Sequence, residues 1–157
     1  MKRLTLAIFA FFLGACQSVA QMQSLGSRDT FAAAKLSARE AQEVIDAVEI
    51  SAYDTPDFWK KELRVKRVDL GSYPGLVVQG SNLLCGATGN CQLWIFRKAG
   101  GKWLSMFGSD QAPIAEGFQL GPARSQGVKD LAIAANSSAE ASQRVTYKFD
   151  GKQYRAK

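Results

Sequence analysis

The clearest helical period in the chain lies behind Ser37. Ala41, Val44, Ile45 and Val48 recur there at intervals of three and four, leaving Arg39, Glu43, Asp46 and Glu49 for the wet side. Ser37-Ala38-Arg39-Glu40, just ahead of that stripe, is a capping box: the Ser37 hydroxyl can accept from the Glu40 amide while Glu40 reaches back. The pattern predicts one amphipathic helix over 37–50. Asp54-Thr55-Pro56 ends it and opens a second short turn carrying Phe58 and Trp59.

From Glu62 the texture changes to short β-prone runs divided by glycine and polar turns, with strands predicted near 62–70, 75–81, 92–98, 102–107, 115–120, 129–135, 143–149 and 152–156. The first four resemble the last four. Leu76-Val77-Val78 matches Leu131-Ala132-Ile133 in apolar pattern, and Gly101-Lys102-Trp103 matches Gly151-Lys152-Gln153-Tyr154. The offsets are 55 residues (Leu76 to Leu131) and 51 (Trp103 to Tyr154), which reads as a diverged duplication with halves 62–107 and 113–157. The last hairpin of each half is expected to turn at Gly100-Gly101 or at Asp150-Gly151, pairs that tolerate positive φ. The expected fold is mainly β (α+β): an N-terminal amphipathic helix plus two similar antiparallel four-stranded units packed as a sandwich-like domain. In that arrangement the helix covers an open sheet edge.

Ahead of this domain, 37–157, the pattern is of a different kind. Lys2 and Arg3 precede a mostly apolar run, Leu4 to Leu13, and then small residues, the layout of a secretory signal too short to span a bilayer. Two processing readings compete. Ser18-Val19-Ala20 before Gln21 looks like a signal-peptidase site, giving a signal peptide over 1–20. Leu13-Gly14-Ala15-Cys16 instead resembles the lipobox of bacterial lipoproteins, giving a lipoprotein signal over 1–15 and lipidation of Cys16. In either case the expected location is the periplasm or the outer membrane, and any membrane attachment is through that lipid alone. Residues 21–36 read as a tether, polar at first apart from Met22 and Leu25.

Composition narrows the chemistry. Histidine is absent, which removes Ser-His-Asp and Cys-His catalysis and His-ligated metals. The formal charge of +6 loses Lys2 and Arg3 with the signal and becomes +4, mildly basic. Export argues against nucleic acid as a partner. Neither a Walker-type loop nor a Rossmann fingerprint occurs, and no metal or other cofactor is expected.

The most distinctive stretch is Cys85-Gly86-Ala87-Thr88-Gly89-Asn90-Cys91. In an oxidising compartment two cysteines six positions apart can close a small ring across a glycine-rich turn. The loop reads as a disulfide staple between two strands and as a rigid surface, Gly86, Ala87, Thr88, Gly89 and Asn90, offered to a partner. On this basis the chain is expected to be a non-enzymatic envelope binding protein whose ligand is an envelope protein or a cell-wall glycan. The alternatives are a carboxylate-dependent glycan-acting enzyme, using Asp54, Asp57 or Glu62, and a structural or accessory lipoprotein. Two further groups have plain readings: Lys60, Lys61, Arg64, Lys66 and Arg67, beside Phe58 and Trp59, as a solvated edge strand, and Trp94, Phe96, Trp103, Phe107, Tyr147 and Phe149 as core. Asp110 belongs to a loop signal.

The cysteine loop, Trp94-Ile95-Phe96-Arg97, Asp130-Leu131 and the terminal Tyr147-Lys148-Phe149-Asp150-Gly151 together resemble a group of small exported bacterial proteins of unassigned function. The resemblance implies an exported β-rich domain and no particular activity. The order of units is also loosely similar to FG-GAP-type repeats, whose calcium loop is acidic. The corresponding stretch here, Asp69 to Gly75, keeps one acidic residue, so calcium is not carried over.

Overall fold

The computed structural model describes residues 21–48, 56–108, 112–138 and 141–157. The expected signal segment, Cys16 and Asp54 lie outside them, as does Asp110. Among the described residues two α-helices, α1 (Ala38–Val48) and α2 (Pro56–Glu62), precede nine strands. β1 (Leu63–Asp69), β2 (Pro74–Gly80), β3 (Cys91–Ala99) and β4 (Lys102–Ser105) form one antiparallel sheet in sequence order, and β5 (Ile114–Ala115) adds to β3. β6 (Gly117–Ser125), β7 (Val128–Ser138), β8 (Ala141–Phe149) and β9 (Tyr154–Ala156) form a second antiparallel sheet. The chain is mainly β and sandwich-like, as its pattern predicts.

Strand alternation divides the core in two. Leu76, Val78, Trp94, Phe96 and Trp103 project from one face of the first sheet onto Val44, Ile45, Val48 and Trp59 of the helices. Val77, Leu93 and Ile95 project from the other face onto Phe118, Leu131, Ile133, Phe149 and Tyr154 of the second sheet. The order of layers is helices, first sheet, second sheet. The helices therefore lie on a sheet face, not over an open edge as the sequence led us to expect. The reason is chemical: β2 and β3 carry large apolar side chains on both sides, and the side turned away from the second sheet needs its own cover.

α1 begins as its capping box dictates. The Glu40 amide donates to Ser37 Oγ at 3.2 Å, and the Ser37 amide donates to Glu40 Oε2 at 3.0 Å. Glu40 Oε1 also accepts from Lys98 Nζ on β3 at 2.6 Å, so the cap is bolted to the sheet beneath it.

The two quartets of strands occupy equivalent ladder positions. Leu76 faces Phe96 where Leu131 faces Tyr147, and Lys98 faces Trp103 where Phe149 faces Tyr154. Two details depart from expectation. The predicted strand 115–120 is divided: Ala115 pairs with Cys91 of the first sheet and Phe118 with Ile133 of the second, so the chain changes sheets at Glu116. The second hairpin turns one residue later than expected, at Gly151-Lys152, because the Asp150 carboxylate accepts the Lys152 and Gln153 amides and so stands before the tip. Gly100 and Gly101, at φ 58° and 78°, do form the first turn.

Residues 21–36 are docked rather than a free tether. Gln23 exchanges both backbone hydrogen bonds with Phe118, Asp29 O accepts from the Val65 amide, and Phe31 and Ala34 are buried. Sequence pattern misses this because the contacts are mostly backbone ones, which carry no side-chain signature.

Hydrogen bonding from Lys98, and then from Ser37, holds Glu40 down from 4.5 to about 2. A carboxylate lowered by folding stabilises above its unfolded value and loses that contribution as the pH falls through the folded one. The difference in thermal midpoint between the native chain and Glu40→Gln should be full above pH 5 and shrink steadily toward pH 2. Melting curves across that range check it.

Candidate functional site: the disulfide-closed loop

β2 ends at Gly80, and a 3-10 turn over Asn82–Leu84 carries the chain sideways before β3 begins at Cys91. The turn packs so closely that a Cβ at Gly80 would meet Leu84 Cβ at 2.5 Å. Cys85 and Cys91 then face each other as an isolated antiparallel bridge and are joined by the expected disulfide. Within the ring, the Gly86 amide donates to Asn90 O at 2.8 Å and the Gly89 amide to Gly86 O at 3.0 Å. Gly89 stands at φ 78°, where a side chain would add strain.

The structure separates the five expected contact residues. Gly86, Ala87, Thr88 and Gly89 are exposed, whereas Asn90 is 8% exposed. Asn90 behaves as an extra rung of the second sheet. Its Nδ2 donates to Asn136 O at 2.7 Å, and its Oδ1 accepts from the Asn136 amide at 2.8 Å. Asn90 Nδ2 also donates to Thr88 Oγ1 at 2.8 Å, and Asn136 Nδ2 donates to Thr88 O at 3.3 Å. The loop grows from the first sheet yet is clamped to β7 of the second. Asn90 is thus a positioning residue, and the surface that remains for a partner is the four-residue tip. Leu83, 75% exposed, lies two positions before the ring in the sequence.

Asn136 and Leu83 are the residues that sequence reasoning missed. Asn136 sits at the end of a strand 46 positions away and has no local signal. Leu83 is one of two adjacent leucines in that turn, and nothing in the sequence tells the exposed Leu83 from Leu84, which packs against the core.

The other expected candidates do not assemble into a site. Asp57 is a solvent-exposed residue on α2, 3.6 Å from Lys60. Glu62 accepts from Ser81 through its backbone carbonyl and through Oε2. Four surface depressions lie elsewhere, and each holds one carboxylate: Glu116, Asp29, Asp130 or Asp150. Trp59 is buried and offers the basic run beside it no platform, whereas Arg67 of that run lies over the buried Trp103 ring, 5.6 Å from its centroid. Arg67 of that run donates from Nε to Ala34 O, and Leu63 and Val65 point inward as an edge strand's apolar residues should.

Asp69, the acidic remnant of the calcium-type loop, accepts from the Gly71 amide and from Lys129 Nζ. Those bonds, that from Lys129 first, hold its pKa below the ordinary carboxylate value. Among the described residues no group of three or more metal-ligating side chains occurs, and no helix is long and apolar enough to cross a membrane. The disulfide points to a non-cytoplasmic compartment. The chain matches no protein-family profile, no curated protein and no solved structure.

Replacing Asn90 with alanine leaves the Asn136 amide and carbonyl without their partners. The expected cost is about 2 kcal/mol in denaturant unfolding, larger than a surface polar-to-alanine change. Thr88→Ala, which leaves the Asn90–Asn136 pair in place, should cost about 0.5–1 kcal/mol by the same measurement.

Proposed function

We propose that this chain is an exported, non-enzymatic binding protein of the bacterial envelope that offers the 86–89 tip and Leu83 to a protein partner. One observation carries the reading: four exposed residues are held in one conformation by a disulfide, a backbone bridge and the Asn90 clamp at once. A loop ordered in advance loses little entropy on docking, so contact energy goes into affinity. A protein is favoured over a cell-wall glycan by the aromatic inventory. Trp59, Trp94, Trp103 and Phe96 are all buried, while Leu83 supplies exposed apolar surface of the kind protein interfaces bury.

Location in the periplasm or at the outer membrane belongs to the same proposal, with lipidation of Cys16 as its anchored form. Gln23, seven positions after Cys16, is already paired with Phe118. A lipid on Cys16 would then keep the domain within about 25 Å of the bilayer, the reach of seven extended residues. Metabolic lipid labelling of the native chain and of Cys16→Ala decides this part: label lost in the variant supports the anchor, and no label in either removes it.

The function itself is tested at the tip. Ala87→Arg adds bulk and charge at an exposed position of the tip and should weaken partner capture from envelope extract tenfold or more, by the usual scale of an interface clash. Its melting temperature should stay close to the native one. Identical capture by both proteins would refute the tip as the contact surface. Joint replacement of Cys85 and Cys91 by serine removes about 2 kcal/mol of loop-closure stabilisation and should reduce capture by more than that loss alone accounts for. Capture that falls only in step with the unfolded fraction would leave the ring as a staple.

A further inference from the structure

Lys98 and Arg97 are consecutive cations on β3, and alternation sends them to opposite faces of the sheet. Lys98 finds Glu40 on the helix side. Arg97 turns toward the second sheet and finds two rings: its guanidinium carbon stands 4.9 Å from the centroid of Tyr73 and 5.9 Å from that of Phe149. These rings end an aromatic chain, Tyr73–Phe149–Tyr154–Phe107, that runs through the inter-sheet core.

No described residue gives the Arg97 guanidinium a hydrogen bond or ion pair, and its Nε is buried without a partner. Among the described residues it is the cationic member of the small set of buried side-chain atoms left unpaired. Three carboxylates of the two sheets and their turns are committed. Asp150 accepts from two turn amides and from Arg155, Asp130 from Ser125, and Asp69 from Gly71 and Lys129. Arg97 as a whole is half-buried, but a buried donor such as its Nε is costly without an acceptor, and the planar fork of arginine matches a carboxylate with two parallel hydrogen bonds.

The surroundings favour an anion with an apolar body. Leu104, opposite Arg97 in the β3–β4 ladder, is 40% exposed.

We propose that Arg97, stacked on Tyr73 and Phe149 and bordered by Leu104, is a binding site for a small organic carboxylate. The site lies toward the end of β3 remote from the cysteine loop and is independent of the tip proposed as the protein contact. Titration of the ¹⁵N-labelled full mature chain with sodium benzoate, acetate, phosphate or chloride at fixed ionic strength tests it. The expected result is a saturable shift of the Arg97 Nε–H resonance and of the Leu104 amide, tighter for benzoate than for acetate. Phosphate should be weaker and chloride flat.

Arg97→Lys keeps the charge but loses the fork and should weaken the benzoate response at Leu104 about tenfold. Tyr73→Leu keeps the arginine and loses one ring, and should weaken it less. That variant also serves if Arg97→Lys fails to fold. Shifts that never saturate, that chloride reproduces or that survive in the folded variants would overturn the site. Phosphate binding as tightly as benzoate would overturn its assignment to carboxylates.

Discussion

The architecture depends on a first sheet that has no face it can leave in water. β2 and β3 place Leu76, Val78, Trp94 and Phe96 on one side and Val77, Leu93 and Ile95 on the other, all close to fully buried. Each such side chain is worth about 1.5–3 kcal/mol when removed from solvent, so neither side can be spared. The chain supplies one cover from before the sheet and one from after it. The helices come first and the second sheet last, and the first sheet ends up as the middle layer by necessity. Gln79, a buried polar residue on β2, joins the parts at their margin: it accepts the Leu25 amide and donates to Ala115 O, tying the N-terminal segment and β5 to the sheet.

That constraint is written in the sequence more plainly than a search for alternation reveals. Leu76-Val77-Val78 and Leu93-Trp94-Ile95-Phe96 are unbroken apolar runs, the mark of strands covered on both sides. Val145-Thr146-Tyr147-Lys148-Phe149 alternates strictly, the mark of a strand with one wet face. Weighing the two textures separately would have placed the helices on a sheet face. Strand positions, α1 with its cap, and the disulfide were legible because each depends on residues close in sequence. The change of sheets at Glu116 was not, since a two-residue strand has no period. The docking of Gln23 on Phe118 was hidden because backbone pairing is indifferent to side chains.

The two halves hold equivalent register, yet their offsets, 55 before the second connection and 51 after it, differ by four residues. The extra length lies in the β2–β3 connection, where the cysteine ring is found. A connection of two residues in one half corresponds to an elaborated one in the other. Elaborated connections on a rigid scaffold are where binding surfaces commonly arise, because the strands fix their ends while the tip is free to vary. The aromatic residues followed the opposite logic. Apart from Phe58, Tyr73 and Tyr147, the described ones discussed above are buried, and they stabilise the layers.

The ring and the Asn90 clamp solve different problems, which is why the loop has both. A disulfide acts chiefly by narrowing the unfolded ensemble, and a short ring narrows it modestly. It fixes the shape of residues 85–91 but not their direction relative to the domain. Direction comes from Asn90, whose side chain imitates a peptide unit and pairs with both polar groups of Asn136. The ring makes the tip stiff, and the clamp, reaching across to the second sheet, aims it. A loop serving only to staple β2 to β3 would need the first device and not the second, because both of those strands already belong to the same sheet.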